Sequence, residues 1–536
     1  MTRESDESRW WKGAVIYQIY PRSYQDTNGD GVGDLPGIAQ RLDYIASLGV
    51  DGIWISPFFT SPMRDFGYDV ADYCDVDPLF GDLQAFDVLL AKAHRLGLKV
   101  IIDQVYAHTS DDHVWFQDSR QNRESEYSDW YVWKDPKPDG TPPTNWQSVF
   151  GGPGWTWDAR RQQYYMHNFL SSQPQLNLHN PAVQQALLKV ARFWLDRHVD
   201  GFRLDAINFS MFDPEFRDNP ARKPNGVVTR PFDLQLHVHN QSHPDIPRFL
   251  ERLRAVMDEY GAIFSVAEVA GPRPLEEMRA FTEGDARLSS AYNFDFLYAK
   301  DLTLARVRKA QEAWMGAPGE GWPSWAFSNH DAPRCVSRWA KGADRHRFAR
   351  LTNTLLLCLR GNPILYQGEE LGLSQAEIPF ERLQDPEAIA NWPLTLGRDG
   401  ARTPMPWQSK ANALGFSTAE PWLPFGADHA ADAVDAQEED DSSVLNFTRL
   451  MIRLRHEMPA LKTGLLRFRD TADPLLSFER LHEGQTLRCV FNLGMEDISL
   501  PSEETDGVQK VLASSGYDSA PGGILPGHAF FIAEIS

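Results

Sequence analysis

The sequence predicts an α/β protein: a (β/α)8 barrel with an inserted subdomain after its third strand and a C-terminal antiparallel β-sandwich. Three observations carry this. Short apolar runs alternate with longer amphipathic stretches through most of the 536 residues, the pattern of buried parallel strands joined by crossover helices. The connection after the third run is far too long for a simple crossover. Beyond residue 461 the pattern becomes apolar–polar alternation broken by turn residues, as in antiparallel sheet.

The eight strand candidates are residues 15–20, 52–57, 99–105, 201–207, 262–269, 290–296, 325–331 and 363–367. They are rich in Val, Ile, Trp, Phe and Tyr and bounded by Gly or Pro, and eight such strands fit a closed barrel. Residues 181–196 illustrate the helices between them, with Val183, Leu187, Val190 and Trp194 on one face. Residues 105–178, dense in Trp, Tyr, Asp, Pro and Gly, read as a subdomain over the barrel mouth. A smaller Pro- and Asn-rich insertion near 213–244 reads as a further wall or lid. The barrel therefore takes residues 1–104 and 179–461, and the β domain takes 462–536.

Composition narrows the partners. There are 74 acidic residues against 53 basic ones, a net charge of -21. With no Lys/Arg run to reverse it locally, this field repels phosphate backbones and argues against nucleic acid. The cysteines Cys74, Cys335, Cys358 and Cys489 have no C-x-x-C spacing and read as reduced thiols rather than a disulfide framework or zinc site. Residues 1–8 are polar, without the apolar stretch of a signal peptide. No apolar run approaches the ~20 residues of a membrane span. A cytoplasmic monomer or homodimer acting on a neutral small molecule is the expectation.

In such a barrel the C-terminal strand ends face the active site, so charged residues there are candidates for chemistry. Arg203 and Asp205 lie two apart on one strand face. Glu268 ends the fifth run, Asn329, His330 and Asp331 end the seventh, and the third carries Asp103 with His108 beyond it. Any one of these alone could be a structural ion pair. Together they suit cleavage of a glycosidic bond, in which one carboxylate attacks the anomeric carbon and another protonates the leaving oxygen. Crowding the carboxylates raises their pKa values, while Arg203 is expected to keep Asp205 ionised.

The whole chain resembles the α-amylase family of glycoside hydrolases, in its α-glucosidase and oligo-1,6-glucosidase branch. The likeness rests on WKGAVIYQIYPRS from Trp11, on the four strand-end signatures, and on RTPMPW from Arg402. The resemblance implies Asp205 as nucleophile, Glu268 as general acid/base, and Asp331 as the carboxylate gripping the sugar's 2- and 3-hydroxyls. It implies Arg203, His108 and His330 around the glucose subsite. It further implies Asp65 and Tyr68 as non-reducing-end clamp and stacking platform, with Arg402 paired to Asp65, and Phe150, Phe169 and Gln173 as pocket walls. Two positions depart or discriminate. Ala107 stands where family members usually have an Asn that helps hold a calcium between barrel and insertion, so that site is not expected. Ala206, after the nucleophile, is small, which in this branch accompanies α-1,4 rather than α-1,6 cleavage.

A separate metal signal lies early. Asp26, Asn28, Asp30, Val32 and Asp34 place oxygen donors at alternate positions around Gly31, like the first part of an EF-hand loop, although Gly37 stands where a bidentate Glu would. One structural Ca²⁺ (or Mg²⁺) is expected; without metal the loop would be an Asx-turn. No catalytic metal or organic cofactor is expected. The combined expectation is a retaining, exo-acting α-glucosidase for short, maltose-like α-glucosides, with some transglucosylation. The alternatives are a transglucosylase or a sucrose- or trehalose-active relative, and a barrel that has lost catalysis and serves as a partner subunit.

Overall fold

A computed structural model describes every residue except 1–8, 224–227, 229, 315, 316, 318, 343, 396 and 517–521. The polar N-terminal stretch and part of the 213–244 insertion thus lie outside the described residues. Eight parallel strands form one sheet: β1 Ile16–Ile19, β2 Gly52–Ile55, β3 Lys99–Val105, β4 Gly201–Asp205, β5 Phe264–Val269, β6 Ser290–Asn293, β7 Ser324–Ala326 and β8 Asn362–Tyr366. Their spatial order is β6-β5-β4-β3-β2-β1-β8-β7, and a parallel bridge between Ala291 and Pro323 closes the ring. Strand residues are buried on both faces, which is why the runs are continuously apolar.

Each strand is followed by a helix: α1 Leu35–Leu48, α2 Leu83–Arg95, α3 Pro181–Asp196, α4 Ile246–Asp258, α5 Pro274–Thr282, α6 Leu304–Glu312, α7 Arg345–Cys358 and α8 Val444–Glu457. Local sequence starts them. Asp34, Asp82, Asn180, Thr303, Asp344 and Ser443 each accept a hydrogen bond from a first-turn amide, satisfying donors that the helix cannot. Val183, Leu187, Val190 and Trp194 on α3 all face the core.

Several predicted runs extend past the sheet. Strand β7 ends at Ala326 and β6 at Asn293, so Asn329, His330 and Asp331 sit on the loop after β7 rather than on the strand. The apolar residues beyond each strand end are buried by loop packing, which a hydrophobic pattern cannot distinguish from sheet.

The insertion carries its own three-stranded sheet, with Gln163–Met166 between Trp133–Lys134 and Trp155–Asp158. It is held by an aromatic core of Trp146, Trp155, Phe212 and Phe216. At the C-terminus, β9 Leu465–Phe468, β10 Leu475–His482, β11 Gln485–Asn492, β12 Val508–Ser515 and β13 Phe530–Ile535 form an antiparallel sheet ordered β9-β10-β11-β13-β12. The short pair Ile498–Ser499 and Ile524–Leu525 packs over it through Leu475, Val490, Leu500, Leu525 and Phe531. Among the described residues, no helix is long and apolar enough to cross a membrane.

Two buried arginines lie where the barrel meets this domain, Arg455 tying together barrel segments and Arg480 bridging the two. Arg455 on α8 donates to the carbonyls of Gly13, Leu357, Leu461 and Gly361. Arg480 on β10 donates to those of Cys358 and Gly464. Burial lowers the Arg455 pKa to about 10 and the Arg480 pKa to about 9. Carbonyl dipoles rather than carboxylates hold these charges. Arg455→Met should therefore strand four buried acceptors and cost about 3 kcal/mol, read as a lower midpoint in urea unfolding.

Candidate active site

The strand register assembles the site. Asp103 pairs with Arg203 across β3 and β4, and Glu268 with Tyr292 across β5 and β6 two residues further on, and the long Arg203 side chain reaches both pairs. Arg203 is their hub and is completely buried. Its Nη1 donates to Asp205 at 2.6 Å and to Asp103 at 2.8 Å. Its Nη2 pairs with Glu268 and donates to the Tyr292 hydroxyl at 2.9 Å. The Trp54 ring lies 4.9 Å from the guanidinium.

Glu268 is held from three sides. Tyr292 donates to Oε1 at 3.0 Å, and the Ala206 amide donates to Oε2 at 3.1 Å. Ala206 adopts left-handed backbone (φ 39°, ψ 39°), which turns that amide across the barrel. The conformation is disfavoured for side chains beyond Cβ and worst for β-branched ones, a local reason for a small residue there.

Burial sets the protonation. It pushes Asp205 up to about 7, with Arg203 opposing and Asp103 reinforcing the rise. Burial also raises Glu268 to about 7, against Arg203 and aided by Asp205 and Asp331. Arg203 thus moderates the upward shift of Asp205 without cancelling it, contrary to the expectation of a carboxylate held firmly ionised. Asp331 behaves differently. Burial raises it, but His330, Arg402 and Arg398 outweigh burial and hold it well below the usual range. Burial also lowers His108 to about 4 and His330 to about 3, so both rings are neutral near pH 7.

The remaining predicted residues gather around these. Tyr68 stacks on His330 at 5.3 Å with rings nearly parallel, and its hydroxyl lies 2.5 Å from His330 Nε2. Gln18 contacts His330 Nδ1 at 2.7 Å. Gln173 donates to Asp65 at 3.0 Å and lies 3.2 Å from His108 Nε2. His108 Nε2 is 3.0 Å from the Tyr68 carbonyl, while its Nδ1 is buried and unpartnered. Phe169 packs on His108 at 5.2 Å and on Phe150 at 6.0 Å. Asp65, Tyr68, His108, Phe150, Phe169, Asp205, Ala206, Glu268 and Asp331 line one cavity of about 580 Å³.

One predicted pairing is wrong. Asp65 pairs with Arg398 at 2.8 Å, not with Arg402. Arg402 instead binds Asp331 at 2.7 Å and the His330 carbonyl at 2.7 Å. The two arginines lie four apart in one motif, and spacing alone does not reveal which one reaches Asp65. Asp385 anchors Arg398 from behind at 2.9 Å. Sequence reasoning missed Arg398, Asp385, Tyr292 and Trp54. Tyr292 had a usable signal, since it stands on a predicted strand next to that of Glu268.

The early acidic loop is turned in on itself. Asp26 accepts from the amides of Asn28, Gly29 and Gly31 and from the Ser417 hydroxyl. Asn28 accepts from the Asp30 amide, and Asp30 from that of Val32. Asp34 accepts from Thr27 and caps α1. Among the described residues, no three His, Cys, Asp or Glu side chains converge as a metal centre. The donor set of Asp26, Asn28, Asp30 and the Val32 carbonyl is nonetheless all oxygen, the chemistry of a hard cation.

Comparison with known proteins places the chain in a family. The family profile described as "Alpha amylase, catalytic domain" matches residues 18–464, and a "Domain of unknown function (DUF3459)" profile matches 463–532. A probable alpha-glucosidase of Rhizobium meliloti (strain 1021) is 54% identical over 495 residues, 91% of this chain and 90% of that protein. An oligo-1,6-glucosidase of Heyndrickxia coagulans is 35% identical over 550 residues, 96% of this chain and 97% of that protein. The crystal structure of XgtA, an alpha-glucosyl transfer enzyme, superposes with a TM-score of 0.94 at 51% identity, covering 98% of this chain and 100% of that one. The chain belongs to the α-amylase family of glycoside hydrolases, in its α-glucosidase and oligo-1,6-glucosidase branch.

The raised Glu268 pKa has a consequence for stability. Its ordinary value is 4.5 and its folded value about 7, so folding takes up a proton between these limits and stability falls as pH rises through them. Glu268→Gln removes that cost. Its melting temperature should match wild type near pH 4 and exceed it by a few degrees at pH 8; a pH-independent gap would contradict the assignment.

Proposed function

We propose that the protein is a retaining, exo-acting α-glucosidase that releases single glucose units from short α-glucosides, with α-1,4 bonds favoured and glucosyl transfer to sugars as a side reaction. The observation that carries this is the sharing of one guanidinium by Asp205 and Glu268. Two carboxylates held on one Arg203 fork lie close together, which suits the close spacing of about 5–5.5 Å in retaining enzymes rather than the wider inverting one.

Burial raises both carboxyl groups, and the charge of Asp205 raises Glu268 further, which favours a proton on Glu268 near neutral pH. In the productive form Asp205 is the carboxylate and Glu268 the acid. An Asp205 oxygen attacks the anomeric carbon while Glu268 gives its proton to the glycosidic oxygen, and the leaving sugar departs as an alcohol. Water then attacks the anomeric carbon, its proton returns to Glu268, and the Asp205 ester bond breaks. Asp331, ionised and braced by Arg402, grips the ring hydroxyls. His108 Nδ1 can accept from a further hydroxyl when Nε2 donates to the Tyr68 carbonyl. Asp65, fixed by Arg398 and Gln173, closes the non-reducing end and makes the action exo.

Transfer has its own support. One cavity wall is apolar, with Val149, Phe169, Ala206, Phe209 and Phe232, a surface whose side chains offer no hydrogen bond to hold a water in place. The likeness to XgtA points the same way. At high maltose, oligosaccharide products should therefore rise relative to free glucose. We place the enzyme in the cytoplasm, as a monomer or homodimer, from its composition.

Proton NMR on maltose tests the mechanism: α-glucose should appear before mutarotation, and β-glucose first would refute double displacement. Asp205→Asn should lower kcat by about four orders of magnitude with its fold retained by circular dichroism.

We also propose that the loop of Asp26, Asn28, Asp30 and Val32 takes one structural Ca²⁺. It would pin the 416–422 segment, to which the loop is tied through Ser417 and the Trp422 amide. Chelator treatment should lower the melting temperature by several degrees, and added Ca²⁺ should restore it; no shift in either direction would exclude the metal.

A further inference from the structure

The two walls of the cavity mouth come from distant parts of the chain. One is the insertion after β4, the other the segment after β8 that includes the short helix Pro386–Asn391. Among the described residues, one ion pair links them: Arg230 Nη1 to Glu387 Oε1 at 3.5 Å. Both residues line the cavity, and their side chains are only 28% and 14% exposed, so the pair sits within the mouth rather than on the outer surface.

Each end of this pair is tied to something that matters below it. Arg230 is also held by Asp233 at 3.3 Å, and between them on the chain lies Phe232 of the apolar wall. Glu387 stands two residues after Asp385, which caps its helix and anchors Arg398. Through Arg398 that end reaches Asp65. At 3.5 Å the pair is longer than a tight charge-assisted hydrogen bond, and no backbone bond between the walls reinforces it among the described residues. It is a weak link between two walls of the cavity that holds Asp205 and Glu268.

We propose that Arg230 and Glu387 form a latch that sets substrate length. Closed, it admits a glucosyl group and a short leaving group; a longer oligosaccharide must separate the pair to seat its next sugars, and the cost of breaking it is charged against that substrate alone. The inference rests on the α-glucosidase reading and concerns specificity rather than bond cleavage. Specificity here is the ratio of kcat/KM values for two substrates.

The test compares three substrates on the full-length enzyme: α-glucosyl fluoride, maltose and maltotetraose. The fluoride fills the glucose subsite and carries no leaving sugar, so it reads the chemistry alone. Wild type should turn over the fluoride; failure there would remove the underlying assignment rather than the latch. Arg230→Ala and Glu387→Ala should each raise the maltotetraose-to-maltose ratio of kcat/KM by about tenfold, with fluoride hydrolysis within about twofold of wild type. The double variant Arg230→Glu with Glu387→Arg should bring the ratio back toward wild type, which simple widening of the mouth would not do. If neither alanine variant shifts the ratio, or the charge swap leaves it as high as the single variants do, the latch is overturned.

Discussion

A charged guanidinium at the axis of a closed barrel has no water to solvate it, and everything around Arg203 answers that constraint. An isolated buried charge costs several kcal/mol, so Arg203 must be surrounded by acceptors, and the strand register supplies Asp103, Asp205, Glu268 and Tyr292. Three carboxylates around one cation leave net negative charge, which burial then resists by raising carboxyl pKa values. The site is in this sense over-supplied with acid. That excess keeps a proton available near neutrality on one of the pair that does chemistry.

The glucose subsite around this hub is built from opposed charges at increasing distance. Asp331 is surrounded by cations and a histidine and stays ionised, while Asp205 and Glu268 share theirs and do not fully ionise. Three carboxyl groups within one cavity thus hold two opposite protonation tendencies, Asp331 differing from the other pair through the additional cations beside it. Arg398 serves Asp65 and also reaches Asp331 at 3.4 Å, while Arg402 serves Asp331. Most polar groups of the inner pocket have two or more partners, as Arg203, Glu268, Asp65 and Asp331 do. The mouth is looser.

Much of this was legible in the sequence because barrel strands announce themselves as continuous apolar runs, and because a charged residue ending such a run has few structural excuses. Asp205, Glu268 and Arg203 stand out on that ground, and the C-terminal sandwich stands out by its change of period. What was not legible depended on direction rather than type. Nothing in RDGAR from Arg398 says which arginine turns toward Asp65, since that depends on the 3₁₀ turn Asp399–Ala401 between them. Nor does an apolar run say where its sheet ends, as the loop carrying His330 and Asp331 shows. Asp34 reads as a metal ligand by spacing, yet its oxygens serve Thr27 and the α1 terminus. Local hydrogen bonding competes for the same lone pairs.

The contact between Asp65 and Arg398 spans 333 positions of chain. A ribosome adding roughly 5–20 residues each second takes on the order of 20–70 s to travel from one partner to the other. Before that interval ends the first strands and the nucleophile exist, but the clamp for the sugar's far end does not. Catalytic competence therefore arrives late in synthesis, and a chain broken off before Arg398 would carry its nucleophile without the clamp that seats the sugar.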